Sequence, residues 1–188
     1  MNPTHARAAS EPRTQIKAPA MASAAEPAQV LTFVLAGELY GIGILSIKEI
    51  ISYTALTTVP MMPAFARGVI NLRGAVVPVV DLLARFGKAS SEVTKRTCIV
   101  IIDVMLGSDR HVLGLVVDAV NAVLDIPQSD IEPPPAFGAS IRTEFIRGMV
   151  KINSKFVIVI DVDHVLAADE VQALADIQQD RVADGQAA

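Results

Sequence analysis

Several residue types and patterns are scarce in this chain, and each scarcity argues against a class of protein. Tryptophan is absent and aromatic residues make up only 4%, which leaves few rings that can stack on nucleic-acid bases. The one cysteine, Cys98, stands at the head of an apolar strand, where a buried and inert thiol is expected. The longest apolar runs stop at Asp103 and Asp118, far short of the roughly 20 residues that a membrane-spanning helix needs.

Net charge is low and unevenly distributed. The chain carries −4 overall, with an excess of basic residues at the amino-terminal end and of acidic residues at the carboxyl-terminal end. The central part is close to neutral and has no cluster of lysine or arginine. A nucleic-acid groove needs such a cluster to neutralise phosphates, so we expect no nucleic-acid partner.

Composition divides the chain into three parts. Residues 1–29 are rich in Ala, Pro, Ser and Thr without a sustained period, which predicts a disordered leader. The leader has basic residues but no continuous apolar segment after them, so it does not resemble a secretory signal. Residues 30–167 are sufficient for one compact domain that buries about two thirds of its unfolded surface. Residues 168–188 predict a C-terminal helix that continues into a tail.

The central domain is predicted to be mostly β. Hydrophobic residues make up 52% of the chain, and with so few aromatics the core must consist of Val, Ile, Leu and Ala. Short strands separated by glycine turns, without long crossover helices, indicate small antiparallel barrels. We therefore predict two linked five-stranded β-barrels that share a core, with short helices. Segment 45–51 fits either a helical turn or a strand.

An internal repeat supports the two-barrel architecture. Residues 67–82 align without a gap on residues 147–162, with Arg, Gly, two Val and Asp identical. The central turn differs, being Asn-Leu-Arg-Gly in the first copy and Lys-Ile-Asn-Ser in the second. A second match pairs Pro63-Ala64-Phe65 with Pro135-Ala136-Phe137. We interpret the halves as two β-barrel lobes, about 30–86 and 97–166, whose strands are alike and whose turns are specialised.

The sequence offers no candidate catalytic, metal-binding or cofactor-binding centre. Asp81 and Asp161 recur at equivalent positions, but the residues after them do not form the tight turns of an aspartate dyad, so helix capping is preferred. Asp163 is a further capping candidate. The three histidines are too widely spaced for a local metal site, and one cysteine cannot complete a thiolate site. No nucleophile or phosphate-binding motif is present.

Some residues in apolar surroundings are candidates for binding a partner. Arg73 occupies a turn between two apolar strands, where it is either solvated or an anchor for a partner. Glu49 lies among isoleucines, and pairing with Arg73 is one way to satisfy its charge. Gly68 fits a β-bulge or the close approach of another backbone, such as a partner helix. Ile47 and Val123 belong either to the core or to the wall of a groove.

A family resemblance rests on segments distributed along the domain. They are Tyr40-Gly41-Ile42, Ile47-Lys48-Glu49-Ile50, Pro63-Ala64-Phe65, Gly68 to Gly74, Val76 to Leu82, Gly114 to Asp118, and Gly148. With these segments the chain resembles the bacterial chemotaxis coupling (adaptor) proteins of the CheW family from about Val30 to Leu166. The Asn-Leu-Arg-Gly stretch followed by Val-Pro-Val-Val-Asp-Leu is the most specific part of the match.

The resemblance implies a fold, a function and partners. It implies two SH3-like barrels and a non-enzymatic scaffold without a cofactor. Such a scaffold joins the cytoplasmic tip of methyl-accepting chemoreceptors to the regulatory domain of the histidine kinase CheA and controls kinase activity within receptor arrays. The protein is then expected in the cytoplasm, recruited to membrane-associated arrays without inserting into the membrane itself.

The resemblance also assigns candidate site residues. Glu49, Gly68 and Arg73 match positions of the partner-binding surface, and Ile47, Cys98 and Val123 match hydrophobic positions near the receptor groove. How these residues divide between receptor and kinase stays open.

Three other functions also remain open. They are a small-molecule-binding barrel, which requires an enclosed cavity, a hydrolase, which requires the aspartates to meet in one cleft, and an adaptor of a two-component pathway other than chemotaxis.

Overall fold

Alternating apolar residues and glycine turns fold into ten strands within the part of the chain that is described. The computed structural model describes residues 26–136, 141–167, 169, 170, 172–174 and 176. The strands are β1 (Ala28–Leu35), β2 (Glu38–Gly43), β3 (Ile47–Ser52), β4 (Ala66–Leu72), β5 (Ala75–Asp81), β6 (Cys98–Leu106), β7 (Asp109–Val117), β8 (Ala119–Ile126), β9 (Ile146–Ile152) and β10 (Lys155–Ile160). Short helices α1 (Leu82–Arg85) and α2 (Val162–Val165) follow β5 and β10, and 3-10 turns form at Ile44–Ser46, Gln128–Asp130 and Thr143–Phe145.

The strands form two five-stranded sheets, as predicted. The sheet that we call lobe A has the order β8-β1-β2-β10-β9, and lobe B has the order β3-β6-β7-β5-β4. One neighbouring pair in each lobe is parallel, β2 with β10 and β5 with β7, whereas the other pairs are antiparallel. In each lobe the parallel pair therefore joins two strands that are not consecutive in the chain.

The predicted division into lobes 30–86 and 97–166 is wrong. Lobe A combines β1 and β2 with β8, β9 and β10, whereas lobe B is continuous from β3 to β7. The repeat itself is real, since Val79 pairs with Gly114 in lobe B and Val159 pairs with Gly41 in lobe A. Each half of the repeat contributes five strands. The first two strands of one half join the last three strands of the other half in the same lobe. Halves that exchange strands in this way cannot form separate barrels.

The two lobes share one core, which confirms another expectation. The main buried cluster contains Phe33 and Tyr40 of lobe A together with Val100 and Leu115 of lobe B. Four aromatic rings stack through it in the order Phe33, Tyr40, Phe86 and Phe145, with centroid separations of 6.2, 5.9 and 6.0 Å. Because burial of apolar surface drives folding, the shared cluster makes each lobe depend on the other.

The repeated aspartates cap helices, as expected. The buried Asp81 carboxylate accepts hydrogen bonds from the Leu83 and Ala84 N–H groups and pairs with Arg67 at 2.9 Å. Asp161 caps α2 by accepting from the Asp163 N–H.

The expectation that Asp163 is itself a cap is wrong. This residue lies inside the first turn of α2, where its carboxylate accepts from the Met105 N–H at 3.0 Å. Of the two capping candidates at α2, only Asp161 caps the helix.

Gly68 holds the chain's own backbone close and leaves no space for a partner helix. A Cβ atom on Gly68 would lie 2.5 Å from the Thr57 carbonyl oxygen, and the glycine has a φ of +144°. Thr57 pairs with Val69 in an isolated bridge that covers edge strand β4. The close approach predicted from sequence is therefore correct, but the neighbour is Thr57 of the same chain.

Arg85 contacts residues of both halves of the repeat and links them. Its guanidinium carbon lies 5.0 Å from the Phe65 ring centroid and 5.1 Å from that of Phe145. Its Nε donates to the Val165 carbonyl at 2.6 Å, and its Nη2 pairs with Glu170 at 2.8 Å. The guanidinium thus joins two aromatic rings, the end of α2 and the C-terminal segment.

The backbone contacts of Phe65 and Phe145 show that the match of Pro63-Ala64-Phe65 with Pro135-Ala136-Phe137 paired the wrong residues. The backbone N–H groups of Asp81 and Asp161 donate to Phe65 and Phe145 at 2.8 and 2.9 Å, so the repeat partner of Phe65 is Phe145. Phe137, which the sequence match had paired with Phe65, lies outside the described residues.

The described ends extend slightly beyond the predicted domain. Strand β1 begins at Ala28, inside the predicted leader, whose residues 1–25 lie outside the described residues. Residues 169, 170, 172–174 and 176 are helical, and Leu174 is completely buried. No helix among the described residues combines the length and apolar character needed to cross a bilayer.

We expect Arg85→Met to lower the free energy of unfolding by about 2 to 3 kcal/mol. The variant loses two cation–π contacts and leaves Glu170 and the Val165 carbonyl without this donor. Chemical denaturation measures the change. Arg142→Met is the matched control, since Arg142 also lies over Phe145, at 5.5 Å, but is 69% exposed. Equal losses for both variants would contradict a special role for Arg85.

We expect Gly68→Ala to lower the free energy of unfolding by about 3 kcal/mol. The new methyl group meets a backbone oxygen that cannot move without breaking the bridge, in a conformation that L-residues rarely adopt. The control is Gly43→Ala, where an added Cβ has no neighbour within 4 Å and φ is −57°. Thermal unfolding compares them, and an unchanged melting temperature for Gly68→Ala would show that the Thr57 segment is not fixed.

Candidate partner-binding site

Arg73 is presented by a tight turn that arginine rarely occupies. Leu72 pairs with Ala75, so Arg73 and Gly74 form a two-residue hairpin turn with φ values of 51° and 90°. Two positive values identify a type I′ turn, whose first position favours Asn, Asp or Gly. The Asn71 side chain supports the turn by accepting from the Gly74 N–H at 2.8 Å. An arginine is therefore held in a left-handed conformation that has a local energetic cost.

A two-pronged ion pair orients the arginine. Arg73 Nη1 and Nη2 donate to Glu49 Oε1 and Oε2 at 2.8 and 2.9 Å, which confirms the predicted pairing. Glu49 lies on β3 and Arg73 follows β4, and these strands are the two edges of the lobe B sheet. The pair therefore joins the edges of the curled sheet. Because the Arg73 side chain is 77% exposed, the pair adds at most about 1 kcal/mol to stability, and its main effect is to fix the guanidinium.

A groove of about 440 Å³ runs beside this ion pair. We call it the Arg73 groove; its apolar lining is Leu72, Ala75, Val76, Val77 and Val112, and its polar lining is Lys48, Glu49, Arg73, Arg110 and His111. Asp103 lies nearby and pairs with Lys48 at 3.6 Å and with Arg110 at 3.5 Å. The groove thus combines an apolar strip with exposed hydrogen-bond donors, which is a pattern suited to a protein segment.

Two further candidates, Ile47 and Cys98, lie on the strand pair β3 and β6. Ile47 is on the same strand as Glu49, opposite Ile102, and is partly buried against the main core. Cys98 lies at the far end of that strand pair, opposite Ser52, and its thiol donates to the Arg96 carbonyl at 3.3 Å.

Two candidates do not join this groove. Gly68 is buried beneath Thr57, whereas Val123 lies on β8 of lobe A and is 47% exposed. The structure therefore brings Glu49 and Arg73 into contact and gathers Ile47 near them, but Val123 belongs to the other lobe.

Two exposed apolar residues were missed in the sequence. Phe156, the repeat counterpart of Val76, is 57% exposed, and the Lys151 ammonium lies 6.0 Å from its ring centroid. The aligned repeat could have drawn attention to Phe156, because a large ring there replaces a smaller valine near the turn. Leu45 is 99% exposed in the 3-10 turn between β2 and β3, a segment that sequence left undecided.

The aspartates do not assemble a hydrolytic cleft among the described residues. Asp81 is buried against Arg67, Asp103 faces Lys48, and Asp118 accepts from the Ala36 N–H at 2.7 Å. The described histidines, cysteine and carboxylates also form no group of three that could hold a metal ion.

Large aliphatic side chains fill the space that a barrel ligand would need. In lobe B, Val79, Ile99, Ile101 and Val116 have no exposed surface. The Arg73 groove beside these strands is open to the surface and is not an enclosed cavity. This arrangement favours a docking surface over a ligand cavity.

Comparisons with known proteins agree with this geometry. The family described as CheW-like domain matches residues 29–170. Chemotaxis protein CheW of Klebsiella aerogenes is 34% identical over 148 residues, which are 79% of this chain and 86% of that protein. Chemotaxis protein CheW of Rhizobium meliloti is 34% identical over 145 residues, which are 77% of this chain and 91% of that protein.

A solved structure extends the likeness to three dimensions. The scaffolding protein TtCheW from Thermoanaerobacter tengcongensis superposes with a TM-score of 0.69 at 37% identity, covering 77% of this chain and 90% of that one. The match to the family, the identity to several of its members and the shared fold lead to one conclusion: this chain belongs to the CheW-like family of non-enzymatic chemotaxis scaffold proteins.

Proposed function

We propose that this protein couples the cytoplasmic tips of methyl-accepting chemoreceptors to the regulatory domain of the histidine kinase CheA. Its membership of a chemotaxis scaffold family supports the proposal. The observation that carries it is the exposed Arg73 guanidinium, which Glu49 fixes at the rim of an apolar groove. A protein that acts only by contact needs such an oriented anchor on its surface.

The hydrogen-bonding capacity of Arg73 leaves room for a partner. A guanidinium has five N–H donors, and the two bonds to Glu49 use two of them. The remaining three point away from that carboxylate and are available to carboxylates or carbonyls of a bound segment. Because the side chain is already held in place, binding loses less conformational entropy than it would with a free arginine.

The two lobes present different side chains at their surfaces. Lobe B presents the ion pair and the Arg73 groove, whereas the matching turn of lobe A presents Asn153 with Phe156 and Lys151 nearby. We propose that an apolar face of the receptor's helical hairpin contacts Ile47, Cys98 and Val123. We also propose that Arg73 and Glu49 lie together on a partner-binding surface. Receptor binding would thereby recruit the protein to membrane-associated arrays without membrane insertion.

Control of the kinase must then be indirect. A scaffold without chemistry changes kinase activity only by binding one arrangement of the receptor and kinase better than another. The shared core helps here, because lobes that are packed on one cluster hold the two surfaces at a fixed separation. A shift of the receptor at one surface is then passed to the kinase as a change in position.

We expect Arg73→Ala to weaken partner binding by about 1 to 3 kcal/mol, which is roughly 5- to 150-fold in Kd. Titration calorimetry with purified receptor-tip and kinase regulatory-domain fragments measures the loss. Arg142→Ala is the matched control, an exposed arginine with its own ion pair to Glu144 at 2.7 Å. Unchanged affinity of folded Arg73→Ala for both fragments would remove Arg73 from the site.

The proposed function has a separate test. The native protein, mixed with both fragments, should form a ternary complex and change the rate of kinase autophosphorylation. Binding to neither fragment would contradict the adaptor proposal.

A second set of variants tests how Glu49 acts. If Glu49 acts by orienting the arginine, Glu49→Ala should weaken binding less than Arg73→Ala, and the double variant should bind no more weakly than Arg73→Ala alone.

A further inference from the structure

A second groove surrounds the turn that carries the chain from lobe A to lobe B. Its main cleft has a volume of about 610 Å³ and lies between residues 26–29, the 43–46 turn, Asp125 and Arg147. Two smaller clefts adjoin it, and Ser46 lines all three. We call the three clefts together the crossing groove. The Arg73 groove shares only Arg110 with it.

The centre of the crossing groove is apolar and uncovered. Leu45 is 99% exposed, and Met105, which lines the same cleft, is 45% exposed. Single exposed apolar residues are normal on protein surfaces. Two exposed apolar side chains in one cleft give a bound segment more apolar surface to bury, since covering a leucine side chain contributes about 2 kcal/mol.

The border of the crossing groove is acidic. Its lining includes five carboxylates and two guanidinium groups, which leaves three negative charges in excess: Glu26, Asp103, Asp125, Asp161 and Asp163 against Arg110 and Arg147. Part of this charge is engaged, since Asp103 pairs with Arg110 and Lys48 and Asp161 pairs with His164. Glu26, Asp125 and Asp163 still face the groove as carboxylates without a basic partner among the described ion pairs. The occupant that fits is an apolar segment with positive charge.

The chain carries such a segment at the place where it reaches the groove. Residues 26–29 line the main cleft, so residues 1–25 are attached at its border. Those residues contain Arg7, Arg13 and Lys17 against Glu11, and Ile16 lies between two of the cations. Lys17 is nine residues from Glu26, which allows a reach of up to about 30 Å. The leader therefore has the charge, the apolar residue and the length to cover Leu45.

We propose that residues 1–25 dock in the crossing groove of their own chain, with Ile16 over Leu45 and Met105 and the flanking cations beside Asp125 and Asp163. Attachment at Glu26 makes the binding intramolecular, with an effective concentration in the millimolar range. Weak contacts are sufficient to fill the groove under that condition. This docking does not depend on which proteins the Arg73 groove binds.

The lack of tryptophan gives a direct test in the full-length chain. Leu45→Trp places a single fluorescent reporter at the centre of the crossing groove. With the native leader at low salt, its emission should be blue-shifted and protected from acrylamide. Reversal of the leader charges (Arg7→Glu, Arg13→Glu, Lys17→Glu) should raise the quenching constant about twofold, and about 0.5 M NaCl should have a similar effect, since salt screens the attraction.

Two matched variants make the result specific. Phe156→Trp, at a site that is 57% exposed and outside the crossing groove, should respond to neither leader charge nor salt. Asp125→Lys should restore protection of the position-45 reporter when the leader charges are reversed, because the attraction is then re-formed with opposite signs.

Two results would overturn the proposal. The first is equal quenching of the position-45 reporter with native and reversed leaders at low salt. The second is protection that increases with protein concentration, which would assign the groove to a second copy of the chain.

Discussion

The parallel pairing of β2 with β10 and of β5 with β7 is the constraint on which the rest of the structure depends. A parallel pair cannot be closed by a hairpin, so each of these contacts joins strands that are distant in the chain. In both cases the pair also joins one half of the repeat to the other. Neither half can then complete a five-stranded sheet alone, and the shared core of Val, Ile, Leu and stacked rings follows from that dependence. Arg85 strengthens the same junction by holding Phe65, Phe145 and the C-terminal segment together.

Within this shared framework the two lobes have acquired different surfaces. The hairpin turn after β4 holds Arg73 against Glu49, whereas the equivalent turn after β9 holds Asn153, which tolerates a positive φ without outside support. An exposed ion pair adds little to stability, so its value lies in fixing the direction of a guanidinium. The framework provides rigid positions, and the turns differ in the side chains that they present.

The crossing groove adds a different kind of surface to this picture. The Arg73 groove lies on one lobe, beside a fixed cation, whereas the crossing groove lies where the chain changes lobes and is acidic around an exposed leucine. Opposite charge at the two grooves means that they suit different segments. The proposed docking of the chain's own basic leader in the acidic groove leaves the Arg73 groove uncovered, so the two proposed sites are separable by charge.

Local chemistry was sufficient for much of what the sequence determined. Abundant β-branched residues and glycine turns predicted the strands, and the carboxylate of Glu49 among isoleucines suggested Arg73 as one partner, because a charge in apolar surroundings needs a partner. The capping role of Asp81 also followed from its neighbours. The exchange of strands between lobes did not, since apolar alternation specifies which face of a strand is buried but not which strand lies beside it.

Tertiary structure alone decided the features that depend on distant neighbours. Thr57 filled the space above Gly68, the Asp163 carboxylate accepted from the Met105 N–H instead of capping a helix, and Leu45 was left uncovered at the change of lobes. Each outcome depends on what packs against the residue after folding. The sequence by itself therefore determined the strands, the repeat and the ion pair, whereas the partners of the strands and the shape of the surface were set by long-range packing.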